Sequence, residues 1–234
     1  LRTFLESEKN SIFRPSEEIS TTHEITAIQY SLEKIKKYPI VYINKPVLDN
    51  KTISEFPVVT NLTASREIVC RSLGIKDHKT VSSIYSKRTG NKIDPIIINN
   101  NESPVKEIIK TSNFDLRNFP ILKQHIGDPG PYLTVAHATT YDPETKIDNT
   151  AIQRCWVKSK DKMTYFPYPS SHNYRNLQKF WSKKHPCPVV FWIGHHPAVL
   201  LGTQAKLKYP ESHWRACGGL LGEPLRLTPS HLFG

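Results

Sequence analysis

Residues 132–157 read Y-L-T-V-A-H-A-T-T-Y, then D-P-E-T-K-I-D-N, then T-A-I-Q-R-C-W-V. The outer stretches alternate apolar and polar residues, the period-two pattern of half-buried strands. Between them, Asp142-Pro143 supplies turn chemistry: proline presets its φ, and aspartate folds back onto nearby backbone N–H groups. The segment therefore reads as a β-hairpin. Downstream, M-T-Y-F (163–166), P-V-V-F-W-I-G (188–194) and P-L-R-L-T (224–228) read as further strands. A helix is expected at 176–183, where Leu177, Phe180 and Trp181 share a face, and another after Pro197. The C-terminal half is expected to be β-rich and barrel-like.

The N-terminal half has a different texture. Thr21 and Glu24 form a capping-box pattern, and Ile25, Ile28, Leu32 and Ile35 follow at helical spacing. P-I-V-Y-I-N (39–44) and P-V-V-T-N-L (57–62) read as strands, and a helix from Ser65 to Leu73 stops at Gly74. Residues 76–113 are polar, rich in Asn, Ser and Lys, and interrupted by Pro95 and Pro104. They read as a variable connection holding one short strand, P-I-I-I-N (95–99), and a short helix after Pro104. The expected class is α+β, with one domain over 1–112 and a second over 113–234.

With 38% hydrophobic and 23% charged residues, the 234-residue chain can bury a core without disulfides or metal. No apolar run reaches the roughly 18 residues of a membrane span. The longest, Pro188 to Leu201, is broken by Gly194, His195, His196 and Pro197. The charged start, L-R-T-F-L-E, does not read as a signal peptide. Cys70, Cys155, Cys187 and Cys217 show no C-x-x-C spacing; Cys70, Cys155 and Cys217 sit among apolar neighbours and read as reduced core thiols, and the expected setting is cytoplasmic. Lys and Arg number 32 against 21 Asp and Glu, a net +11 that would suit an anionic partner. The basic residues are scattered, however, and no nucleic-acid motif accompanies them.

Few residues stand out for chemistry. Arg154 interrupts the apolar strand A-I-Q-R-C-W-V; it lies either on the polar, solvent side or in a pocket where its planar fork grips an anion. Asn149, His172 and His213 are N/O-type ligands, but their spacing carries no metal signature. His195 and His196 are adjacent, so their side chains diverge, and the pair reads as structural. No phosphate loop or hydrolase motif occurs.

A longer pattern adds to this. F-D-L-R-N-F-P-I-L-K-Q-H-I-G-D-P-G-P-Y-L-T-V-A (114–136), followed by D-P-E-T-K-I-D-N-T-A-I-Q-R (142–154), resembles the central signature of the UbiD-type decarboxylases. E-I-T-A-I (24–28), F-P-V-V-T-N-L-T-A-S-R-E (56–67), G-H-H-P-A-V-L-L-G-T-Q (194–204) and G-G-L-L-G-E-P-L-R-L (218–227) agree in the same order. The resemblance implies reversible, non-oxidative decarboxylation of an aromatic or α,β-unsaturated acid on prenylated FMN. It implies an N-terminal α/β unit, a flavin-reductase-like split β-barrel, and a C-terminal α/β domain missing from these residues.

By position, the resemblance implies that Ile152, Gln153, Arg154, Ser171, His172, Thr203 and Gln204 line the cofactor, with Arg154 as the catalytic arginine. Asn149 and His172 would bind a divalent manganese ion at the cofactor phosphate, with a potassium ion nearby. His213 stands where the family has a third, glutamate ligand, and Glu211 is the alternate. A flavin prenyltransferase would supply the cofactor, and the full-length protein would form a homo-oligomer. Neither nucleic acid nor membrane is an expected partner. The family's catalytic carboxylates lie beyond the barrel, so these residues alone are expected to be inactive. The competing reading is a non-catalytic flavin-binding or assembly module.

Overall fold

The structure is a computed structural model and describes residues 1–233. The chain divides into two compact units. The first comprises Leu1–Arg71, Thr111–Thr134 and Arg154–Tyr165; the second comprises Ser72–Lys110, Val135–Gln153 and the residues from Phe166 onward. The class is mixed α+β, as the alternation of patterns implied.

The N-terminal elements are α1 (Arg2–Ser7), β1 (Ile12–Phe13), β2 (Ile19–Ser20), α2 (Glu24–Lys34), β3 (Ile40–Ile43), β4 (Pro46–Val47), β5 (Val58–Thr60) and α3 (Arg66–Ser72). Strand β3 lies between β1, to which it runs parallel, and β5, to which it runs antiparallel. Its continuous apolar run follows from burial on both faces. Val41 and Ile43 pack with Ile25 of α2 and Val58, whereas Ile40 packs with Phe4 of α1 and Ile68 of α3. The ends of α1 and α3 are tied by Arg71, whose guanidinium meets the Glu8 carboxylate at 2.8 Å. The expected capping box does not form. His23 is the N-cap of α2 at φ 70°, and Glu24 reaches back to accept from the Ser20 N–H, while the Thr21 hydroxyl donates to the Val47 carbonyl. Pairing of β2 with β4 draws Thr21 away from the helix end.

The remaining elements are α4 (Val81–Gly90), β6 (Ile96–Ile97), β7 (Tyr132–Tyr141), β8 (Asp148–Val157), β9 (Met163–Thr164), α5 (His172–Trp181), β10 (Val190–Trp192), α6 (Pro197–Gly202), α7 (His213–Leu221) and β11 (Arg226–Leu227). The hairpin forms as read, and its strands β7 and β8 contribute residues to both units. The sheet runs β10-β7-β8-β9, whereas β11 leaves it to pair in parallel with β6. No sheet among the described residues closes into a barrel.

Two helices depart from expectation. The segment read as a variable connection contains the ten-residue α4, and His213 opens α7, a helix that the sequence pattern did not announce. Helix α4 buries only Val81 and Thr89, so it carries almost no amphipathic signal. It is held by α7, whose small residues Ala216, Cys217, Gly218 and Gly219 allow both α4 and α6 to approach closely. A Cβ at Gly219 would lie 2.2 Å from the Asn91 carbonyl oxygen, and one at Gly202 would lie 2.7 Å from Cys217 Sγ. Helix α5 starts four residues earlier than its apolar face suggested, because the Ser171 hydroxyl caps it by accepting from the Tyr174 N–H at 3.2 Å.

Candidate functional site

The turn end of the hairpin, helix α5 and the start of α7 share a buried polar network within the second unit. Asp142, 1% exposed, accepts from Lys179 Nζ at 2.8 Å, from the Tyr209 hydroxyl and from the Glu144 N–H at 2.8 Å. Burial alone would push its carboxyl up, but the Lys179 ammonium, the Tyr209 hydroxyl and two backbone N–H groups hold it well below the usual range. The sign of the linkage follows. A depressed aspartate stabilises the fold above its unfolded value, near 4, and loses that contribution as pH falls. The stability advantage of wild type over Lys179→Met is therefore expected to be full at about pH 6 and to shrink below about pH 4. Urea midpoints at both values check this; an equal gap at both would contradict it.

Deeper in the network, Asn173 is fully buried and accepts from the Thr140 hydroxyl at 2.7 Å and from Asn149 Nδ2 at 2.6 Å. At the head of β8, the Asp148 carboxylate accepts from the Ser212 hydroxyl, the His213 N–H at 2.9 Å and the Trp214 N–H at 3.1 Å. It caps α7 from a position 65 residues away in sequence. Burial pushes this carboxyl up to about 6, against those three donors.

The sequence-derived ligand candidates do share one neighbourhood. Asn149 is bonded to the residue after His172, and the N–H of Thr150 donates to His213 Nδ1 at 3.4 Å. His172 also lies close enough to His213 to help depress its pKa, although burial is the larger cause and brings it to about 4. The His213 ring is nevertheless engaged by backbone, with the Ala205 carbonyl as a second partner. Glu211 is drawn elsewhere, to Lys92 at 2.8 Å and to the Lys208 N–H at 3.1 Å. No three His, Cys, Asp or Glu side chains among the described residues form a metal-binding group. What remains is an amide oxygen on Asn149 and the neutral-leaning imidazole of His172, whose pKa burial and Arg175 both lower.

The other candidates fall as follows. Ser171 caps α5; the Thr203 hydroxyl donates to the Leu200 carbonyl at 2.8 Å, and Gln204 Nε2 donates to Thr203 Oγ1 at 3.0 Å. Ile152 and Gln153 are half-buried on β8. His196 caps α6, its Nδ1 accepting from the Ala198 N–H at 3.1 Å, and His195 packs edge-on against His137 and Trp192.

Arg154 belongs to the first unit and is exposed. Its guanidinium lies 4.5 Å from the Tyr132 ring centroid; Tyr132 stacks on Trp156 at 6.0 Å, and Lys158 Nζ sits 3.2 Å over Trp156. Such a cation–aromatic ladder orders both cations while leaving their donor edges free. Gly130 makes room for it, since a Cβ there would lie 2.5 Å from Trp156 Nε1. Arg154 has no ion pair among the described residues, so its fork is free to meet an anionic ligand.

Sequence reasoning missed Asp148, Asn173 and Tyr132. For Asn173 a signal existed: Asn173 and Asn176 stand three residues apart on the face that also holds Leu177, which marks a polar buried stripe. Asp148 offered none, because its partners lie in a distant helix.

Comparison with known proteins gives a consistent result. The family model for the 3-octaprenyl-4-hydroxybenzoate carboxy-lyase N-terminal domain matches residues 6–87, and that for the Rift-related domain matches residues 97–233. Anhydromevalonate phosphate decarboxylase of Methanothermobacter thermautotrophicus is 26% identical over 212 residues, 88% of this chain and 45% of that protein. Phenolic acid decarboxylase of Bacillus subtilis is 28% identical over 123 residues, 51% of this chain and 26% of that protein. An evolved dimeric form of the UbiD-class enzyme HmfF from Pelotomaculum thermopropionicum, solved with prFMN, superposes with a TM-score of 0.89 at 27% identity, covering 99% of this chain and 52% of that one. Vanillic acid decarboxylase of Sedimentibacter hydroxybenzoicus shares the fold, with a TM-score of 0.91 at 23% identity, covering 99% of this chain and 50% of that one. The chain thus spans about half the length of the Methanothermobacter and Pelotomaculum relatives.

Proposed function

The chain belongs to the UbiD carboxy-lyase family, and from that membership we propose that it is the cofactor-binding part of a prenylated-FMN-dependent decarboxylase acting on an aromatic or α,β-unsaturated acid. The observation that carries the proposal is Arg154: its guanidinium carbon lies 4.5 Å from the Tyr132 ring centroid, and no carboxylate among the described residues forms an ion pair with it. Such a fork binds a substrate carboxylate in two parallel hydrogen bonds. In this reading prenylated FMN supplies the electron sink for carbon dioxide loss. Residues 113–234 would form the split-barrel domain and 1–112 the N-terminal α/β domain, with Ile152, Gln153, Ser171, Thr203 and Gln204 beside the cofactor.

Asn149 and His172 would hold a divalent cation at the cofactor phosphate. Two neutral donors without a carboxylate bind a hard cation weakly, so the phosphate must supply the negative charge. His213 is left to its structural role.

Two measurements test this. After co-expression with a flavin prenyltransferase, native mass spectrometry is expected to show flavin and metal together or neither; metal held tightly without flavin would contradict it. Arg154→Lys is expected to weaken binding of a cinnamate probe by roughly ten- to a hundredfold, because an ammonium lacks the planar fork. Unchanged affinity would return Arg154 to the role of a solvated surface residue. The second reading is a non-catalytic flavin-binding module with the same cofactor site, and turnover by a protein of the relatives' full length that contains this chain separates the two.

A further inference from the structure

We propose that Asn173 is a positioning residue: it turns the Asn149 side chain so that its amide nitrogen faces inward and its carbonyl oxygen is presented to a cation. The inference rests on the reading that Asn149 and His172 hold a cation joined to the cofactor phosphate. The orientation follows from one atom whose role is fixed. The Ala138 backbone carbonyl can only accept, so the Asn173 group 3.3 Å from it is the amide nitrogen. Asn173 Oδ1 therefore faces the other way, toward the Thr140 hydroxyl at 2.7 Å and the Asn149 side chain at 2.6 Å. An oxygen at that distance requires a donor, which obliges Asn149 to present its NH2 group. The reverse orientation would set two acceptors 2.6 Å apart inside the protein, where Asn173 has no exposure to water.

The consequence concerns ligand sign. With its nitrogen committed, Asn149 offers only a carbonyl oxygen, and no hydrogen bond among the described residues engages that oxygen. A neutral amide oxygen is a hard ligand for a divalent cation, and it repels a phosphate met directly. Asn173 thus does for an amide ligand what a backbone carbonyl or carboxylate does for a metal-bound histidine: it fixes which atom points outward. Helix α5 carries both partners of this arrangement, since His172 and Asn173 are consecutive and diverge from the helix start.

Two arms test the proposal on the 234-residue chain. The first uses no ligand: in a sample with 15N-labelled asparagine, the Asn149 side-chain NH2 is expected to be protected from hydrogen exchange. That protection is expected to persist in Asn173→Asp, which keeps the acceptor, and to vanish in Asn173→Leu. The second arm measures FMN affinity with and without MnCl2. Asn173→Leu is expected to weaken Mn2+-dependent FMN binding by roughly ten- to a hundredfold, and Asn173→Asp by no more than about threefold. In an Asn149→Ala background, Asn173→Leu is expected to cost nothing further, because its effect passes through Asn149. A merely structural role would add its loss in both backgrounds, and additive losses would overturn the proposal. So would an unprotected Asn149 amide in the wild-type spectrum, a measurement that stands even if Asn173→Leu does not fold. Absence of any Mn2+-linked FMN binding by wild type would remove the cation reading, while the spectrum would still decide the orientation.

Discussion

Loaded with prenylated FMN, the 234-residue chain is expected to release no carbon dioxide from cinnamate- or hydroxybenzoate-type acids above the level of free cofactor. Proton delivery to the product carbon by a positioned acid is worth roughly 10²–10⁴-fold, and that acid must sit within hydrogen-bond reach. The prominent acids of this chain are committed elsewhere. Asp142 is held by Lys179 and Tyr209, Asp148 caps α7, Glu211 pairs with Lys92, and Asp115 pairs with Arg117. None of them forms an ion pair with Arg154. An exposed Arg154 also works in a high dielectric, where a charge-assisted contact is worth far less than in a dry site. The measurement is carbon dioxide release together with deuterium exchange into the product position. Turnover comparable to that of a double-length relative would place the catalytic acid within these residues and contradict the account.

Gly219→Ala is expected to destabilise the fold by about 3 kcal/mol or more, at the upper end of what overpacking costs. The added Cβ would lie 2.2 Å from the Asn91 carbonyl oxygen and 2.4 Å from that of Arg88. Both are backbone atoms at the C-terminal end of α4, so no rotamer change relieves the clash, and the helices must separate. Separation disturbs the packing of α7, whose Ala216, Cys217 and Leu220 are fully buried. Gly127→Ala is the control, since nothing lies within 4 Å of its Cβ position; a change within about ±0.5 kcal/mol is expected there. Urea titration at constant m reads both variants. A Gly219→Ala midpoint indistinguishable from wild type would mean that α4 does not rest on α7 in solution.

Much of the fold was legible because its signals are local. The period-two runs on either side of Asp142-Pro143, the β-branched run of β3 and the Gly74 stop of α3, at φ 63°, each declare themselves within a few residues. Helix α4 did not, because a helix that buries only Val81 and Thr89 depends for its stability on a partner more than a hundred residues away. The capping box at Thr21 failed for the same reason: β4 competed for its hydroxyl.

For the site, the residues by themselves showed which side chains were chemically capable, and the ordered blocks of similarity showed the family. They left Arg154 divided between solvent and pocket, and only the tertiary structure sets it on Tyr132, with Trp156 and Lys158 continuing the stack. They offered His213 as a ligand, and only the approach of α7 to β8 engages its ring with the backbone of Thr150 and Ala205. The sequence alone determined residue chemistry and local periodicity, which are properties of neighbours along the chain. Tertiary structure decided which donor meets which acceptor, because Asp148 with His213, and Asn149 with Asn173, become partners only when strands and helices distant in sequence are packed around a core that excludes water.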